Sequence, residues 1–118
     1  MGEEILIDEL DRQIFSDGVY FEQSTWYQRY TIDFYLHFLI LRELNEKKMQ
    51  PAKKEKFYTK TQDALDFMMS ITRPDGTTPH IGDDDGGRCL PITNDSPTNF
   101  RGTLAVGAVL FNRGDYKY

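Results

Sequence analysis

Phe34-Tyr35-Leu36-His37-Phe38-Leu39-Ile40-Leu41 leaves a helix almost no polar face. A helix that is apolar all round is expected to be enclosed on every side, not laid on a surface. The segment belongs to a longer helix read from about Thr25 to Asn45. Its start, Thr25-x-x-Gln28, matches a capping box, in which two side chains satisfy amide groups that a helix start leaves free. The dense apolar run, Ile32 to Leu41, is far shorter than the ~20 residues of a membrane span and contains Asp33 and His37, so no membrane partner is expected.

Working outward, an amphipathic helix is read from about Glu3 to Phe15, with Leu6, Leu10, Gln13 and Ile14 on one face. Ser16-Asp17-Gly18 ends it as a turn. After the central helix, Lys47, Lys48, Lys53, Lys54 and Lys56 are interrupted by acidic residues and Pro51, which reads as a solvated connection. A third helix runs from about Lys54 to Thr72, with Phe57, Thr61, Ala64, Leu65, Met68 and Ile71 as its stripe, and Arg73-Pro74-Asp75-Gly76 closes it. A fourth opens with Ser96 as cap and Pro97 in the first turn, where a missing amide costs little. It continues through Leu104–Leu110 to Asn112, and Gly102, Ala105, Gly107 and Ala108 permit close helix approach.

The order is amphipathic, enclosed, amphipathic, enclosed, and the turns Asp17-Gly18 and Asp75-Gly76 lie 58 residues apart. Such repetition of a helical hairpin suits two concentric layers. The expected fold is all-α, with helical hairpins forming an arc of an α/α toroid, and residues 1–118 a partial domain. A closed four-helix bundle, the alternative, asks every helix to be amphipathic.

Composition narrows the functions. Hydrophobic residues make up 39% and charged residues 28%, as in a globular chain. The net charge of −5 argues against a nucleic-acid partner, since phosphate binding needs clustered, unopposed cations. Aromatic residues, 14% of the chain, suit sugar faces as well as cores. One cysteine, Cys89, excludes an internal disulfide and a cysteine-only metal site. Acidic residues follow Met1-Gly2 at once, so no signal peptide is read there.

The polar information lies in the loops before the two apolar helices. Asp17-Gly-x-x-x-Glu-Gln-Ser-x-x-Tyr27 and Pro74-Asp-Gly-x-x-Pro-x-Ile-Gly-Asp83 resemble two signatures of the heparinase II/III-like family, and they occur in its order. Leu104 to Phe111, followed by Arg113-Gly114-Asp115, is similar to the helix that comes next in that family.

The resemblance implies cleavage of a uronic-acid-containing polysaccharide by β-elimination. It further implies an acidic polysaccharide or oligosaccharide as partner, no cofactor, and a periplasmic or secreted location. Members use a tyrosine in the first motif, an Asn-His pair on an earlier helix and a histidine from a β-sandwich. Tyr27 takes the tyrosine position. The Asn-His pair and the β-sandwich have no counterpart in these residues, so the rest of a longer chain is an expected partner. Where members often carry Tyr-His, this sequence has Tyr27-Gln28.

A phenol is a fair acid toward a departing glycosidic oxygen and a poor base at neutral pH. The first turn of a helix favours phenolate by only ~0.3–1 kcal/mol. Glu22 and Gln23 can orient sugar hydroxyls or satisfy loop backbone. Trp26 and Tyr30, four apart, can form a stacking platform or pack in the core. Asp83 is a further candidate contact. Asp83-Asp84-Asp85 lacks the spacing of an EF-hand, and His80 with Asp83 is too few ligands for a metal site, so none is expected. His37 reads as a satisfied core histidine. Two other functions fit the residues: a hydrolase using Glu22 with one of Asp83 to Asp85, and a non-catalytic helical interaction module.

Overall fold

The computed structural model describes residues 2–45, 48–89 and 94–117. They form four helices, α1 (Gly2–Gln13), α2 (Thr25–Leu44), α3 (Pro51–Ile71) and α4 (Arg101–Leu110), then a short 3-10 turn at Gly114–Tyr116. No strand is present among the described residues; two isolated bridges, Ile14 with Tyr20 and Thr77 with Asn99, stand in for sheet. The fold is all-α and built of helical hairpins.

α3 is the hub, packed against α1, α2 and α4, while α2 also touches α4. Its stripe of Phe57, Thr61, Ala64, Leu65 and Met68 is buried, as the spacing predicts, and Ile71 is half-buried. Leu36, Leu65 and Leu104 are fully enclosed where the helices meet, each contributing about 1.5–3 kcal/mol of burial. Gly107 lets α4 approach α3, since a Cβ there would lie 2.6 Å from Leu65 Cδ1.

Several boundaries differ from the sequence reading. α1 stops at Gln13 because Ile14 turns to pair with Tyr20, and the Phe21 amide donates to the Gln13 carbonyl. α3 starts at Pro51, which needs no helical hydrogen bond in the first turn, so Lys53, Lys54 and Lys56 are helical. Lys53 and Lys56 pair with Glu4 and Asp11 of α1. Lys48 is exposed outside the helices, and Lys47 lies outside the described residues.

α4 begins at Arg101, after the expected Ser96-Pro97 start. The Asn99 amide closes a turn on the Ser96 carbonyl, and the Phe100 amide donates to the Gly76 carbonyl, so the chain is not helical until after Phe100. The cap of α2 is Ser24, one residue before the expected Thr25: the Ser24 hydroxyl accepts from the Tyr27 amide. Gln28 does not complete a capping box, because its amide is committed elsewhere.

Enclosure of α2 and α4 on all sides is not what the structure shows. Phe34 is 47% exposed, Leu44 76% and Val109 79%, and Leu41 is exposed too. Within these residues α2 and α4 are covered on one flank, by α3 and by each other, and their apolar character continues onto open surface.

Candidate functional site

The first loop, residues 14–24, is folded around a tight turn. The Gly18 amide donates to the Phe15 carbonyl, the Phe15 amide to the Val19 carbonyl, and the Val19 amide to Asp17 Oδ1. Gln28, buried one turn into α2, fixes this loop. Its Oε1 accepts from the Tyr20 amide at 2.6 Å, and its Nε2 donates to the Gly18 carbonyl at 2.8 Å and to the Ala64 carbonyl at 3.2 Å.

The second loop, described over residues 72–89 and 94–100, returns to the start of α2. The Thr25 hydroxyl donates to the Pro79 carbonyl at 2.9 Å and accepts from the Ile81 amide at 3.2 Å. The Ser24 hydroxyl donates to the Asp83 carbonyl at 2.6 Å, and Trp26 Nε1 donates to the Gly87 carbonyl at 3.0 Å. The triple-aspartate segment is thereby held against the N-terminus of α2.

Between the loops lies a cleft of about 270 Å³ lined by Tyr20, Glu22, Tyr27, Tyr30, Thr31, Asp85 and Gly87. This is near the lower end of small-molecule sites. Of the residues singled out in the sequence, the structure brings Tyr27, Glu22 and Tyr30 together here. Gln23 and Asp83 are exposed on the adjoining loops and do not line the cleft. Trp26 takes the packing alternative: 8% exposed, its ring meets Phe100 edge-on, and the Arg29 guanidinium lies 4.5 Å above it. Of the two aromatics, Tyr30 lines the cleft and is exposed.

The Tyr27 phenol is pushed above its ordinary pKa, first by partial burial and then by Asp85, Asp83, Glu22 and Asp84. The helix N-terminus was expected to favour phenolate; burial foremost, and then the carboxylates, shift the phenol the other way, so Tyr27 holds its proton at neutral pH. Tyr20 is shifted the same way, by burial foremost, against a hydrogen bond with Thr31 that works in the other direction. No group of three or more metal-ligating side chains occurs among the described residues.

The family described as Heparinase II/III N-terminus matches residues 1–100. The chain belongs to the heparinase II/III family. No curated protein and no solved structure matches it. Membership makes this a polysaccharide lyase family chain, with a polysaccharide as the general class of substrate.

In this heparinase II/III chain the departure at position 28 has a structural account. Gln28 is buried, does not line the cleft, and binds loop one and α3 at once, through Tyr20, Gly18 and Ala64. Tyr20, Thr31 and Gly87 are cleft residues that sequence reasoning missed. Thr31 had a signal: it lies four residues after Tyr27, on the same helical face, with Tyr30 between them. Tyr20 and Gly87 had none, because tertiary folding of the loops brings them in.

Beneath the site, Arg29 is 3% exposed between the Trp26 and Phe100 rings and donates to the Pro97 carbonyl. Its Nε lies 4.0 Å from Asp33, whose carboxylate accepts from the Thr103 hydroxyl at 2.5 Å. Burial lowers the Arg29 pKa and raises that of Asp33. His37 is half-buried, with Nδ1 2.6 Å from the Asp33 carbonyl, and belongs to this structural cluster.

Proposed function

We propose that the chain forms one wall of the active site of a lyase that cleaves uronic-acid-containing polysaccharide by β-elimination, with Tyr27 as the general acid. The observation that carries the proposal is the Tyr27 phenol, lining a sugar-sized cleft and kept protonated by burial and surrounding carboxylates. A base outside these residues removes the proton beside the uronate carboxylate. Tyr27 then gives its proton to the glycosidic oxygen as the carbon–oxygen bond breaks. In this proposal the Asn-His pair and the β-sandwich histidine come from elsewhere in the lyase. Further helical hairpins cover the open apolar flanks of α2 and α4 and complete a toroid. The proposal also places the protein where polysaccharide is met, in the periplasm or outside the cell.

Tyr27→Phe in the full-length protein tests this. The phenylalanine keeps the ring and removes the proton, and loss of one positioned acid lowers turnover by about 10²–10⁴-fold. Turnover is read as ultraviolet absorbance of the conjugated uronate that elimination creates. Unchanged absorbance growth in a folded variant would falsify the acid role.

Glu22 and Asp85 line the same cleft, which is the observation a hydrolase with paired carboxylates would need. Products without ultraviolet absorbance, abolished by Glu22→Gln, would favour that chemistry over elimination.

A further inference from the structure

We infer that the Tyr27 cleft selects an uncharged sugar ring and rejects a sulfated one, so that the residue departing with the glycosidic oxygen is a neutral hydroxyl-bearing sugar. The inference rests on the cleft being a glycan site, and it adds which ring the cleft takes. Its walls are tyrosine rings, the Thr31 hydroxyl, the Gly87 backbone and two carboxylates, Glu22 and Asp85. Asp83 and Asp84 lie close enough to act on the Tyr27 phenol, and among the described residues neither lysine nor arginine lines the space.

Carboxylates accept short, strong hydrogen bonds from hydroxyl groups, and an aromatic ring offers a sugar its flat face, so a neutral ring is satisfied here. A sulfate or carboxylate on that ring would face like charge from this wall, which among the described residues offers it no cation. Like-charge juxtaposition rejects a wrong ligand more sharply than fit selects the right one. The uronate whose carbon–oxygen bond breaks must then present its own carboxylate away from this wall.

The test uses the full-length protein, at dilute concentration and constant temperature, with amide chemical shifts of Tyr20, Tyr27, Thr31 and Gly87 as the readout. The probes are a neutral N-acetylhexosamine tetrasaccharide and a tetrasaccharide sulfated on every ring. At low salt the neutral probe is expected to move these shifts with at least about tenfold higher affinity. Added salt should narrow the gap by screening repulsion, the opposite of what a cationic site shows. Glu22→Gln with Asp85→Asn should raise the sulfated probe's affinity about tenfold, by removing the two nearest charges. Equal or tighter binding of the sulfated probe at these residues overturns the inference, as does a neutral probe that leaves them unmoved. Neither readout involves turnover. Neutral-ring preference together with an active Tyr27→Phe enzyme would sink only the acid role, and the reverse pair would sink only the inference.

Discussion

Residues 15–19 and 73–77 make the same turn, 58 residues apart, with matching hydrogen bonds, yet the loops that follow do different work. In both, the fourth residue is a glycine with φ near +85° (84° at Gly18, 87° at Gly76), and an aspartate just before it accepts from the next amide. The first loop is short and belongs to its own hairpin, tied down by Gln28. The second is longer and spends its extra residues on the other hairpin, binding Ser24, Thr25 and Trp26 at the start of α2. A repeated scaffold thus carries a site because one copy of the loop leaves its own helix and crosses to its neighbour's.

The sharpest way to break the comparison is to substitute both glycines. Each needs a left-handed backbone, which costs an alanine about 1–2 kcal/mol. At Gly18 the added Cβ would also lie 2.1 Å from the Asp63 carbonyl oxygen, on backbone of α3 that cannot yield. At Gly76 it would meet the side-chain ends of Asn99 and Arg101, at 2.6 and 2.7 Å, which can move. Urea titration should therefore show Gly18→Ala destabilised by roughly 3–5 kcal/mol and Gly76→Ala by about 1–2 kcal/mol. Equal losses would mean that the first loop is not wedged against α3.

Next in size is Gln28→Leu, which leaves the Tyr20 amide and the Gly18 carbonyl without their partner in a buried place. A loss of about 2–3 kcal/mol is expected. Because Tyr20 lines the cleft, its amide resonance and those of Tyr27 and Thr31 should shift, while Gly76 and Phe100 stay in place. Ser24→Ala removes the cap of α2 and the bond to the Asp83 carbonyl, at a cost of about 1 kcal/mol. Unlike Gln28→Leu, it should loosen the second loop, seen as faster hydrogen exchange at Ile81 and Gly87.

The smallest effect is a pH dependence in the second turn. Hydrogen bonds from the Thr77 hydroxyl and amide hold the Asp75 carboxyl below its ordinary value. A carboxyl with a lowered folded pKa stabilises the fold above its unfolded value, near pH 4, and that stability is lost as pH falls through the folded pKa. Asp75→Asn should flatten a small part of the acid limb of the urea midpoint. Its fluorescence midpoint at neutral pH should change little, as the group is fully exposed.

Much of this was legible locally. The stripe of α3 and the extent of α2 follow from spacing, and the recurrence of Asp-Gly foretold the paired turns. Ser96-Pro97 looked like a helix start, and only the long-range bond from Phe100 to Gly76 shows why it is not one. Ser24 and Thr25 are both capping residues by type; what separates them is that the Thr25 hydroxyl is claimed by Pro79 and Ile81. In the site, Tyr27, Glu22 and Tyr30 were visible because they flank one helix start. Trp26 faces inward because Phe100 waits for it, a residue whose position depends on the second turn. The exposed flanks of α2 and α4 escaped notice because apolar sequence reports that a face is meant to be covered, not which chain covers it.

Trp26 is the chain's one tryptophan, and its ring nitrogen is bonded to Gly87 while the Arg29 guanidinium lies against its face. The protein thereby contains its own optical gauge of the acidic loop. Undocking of that loop would free the indole to water and redden its emission, so release of the loop during unfolding can be timed by stopped flow with no label attached.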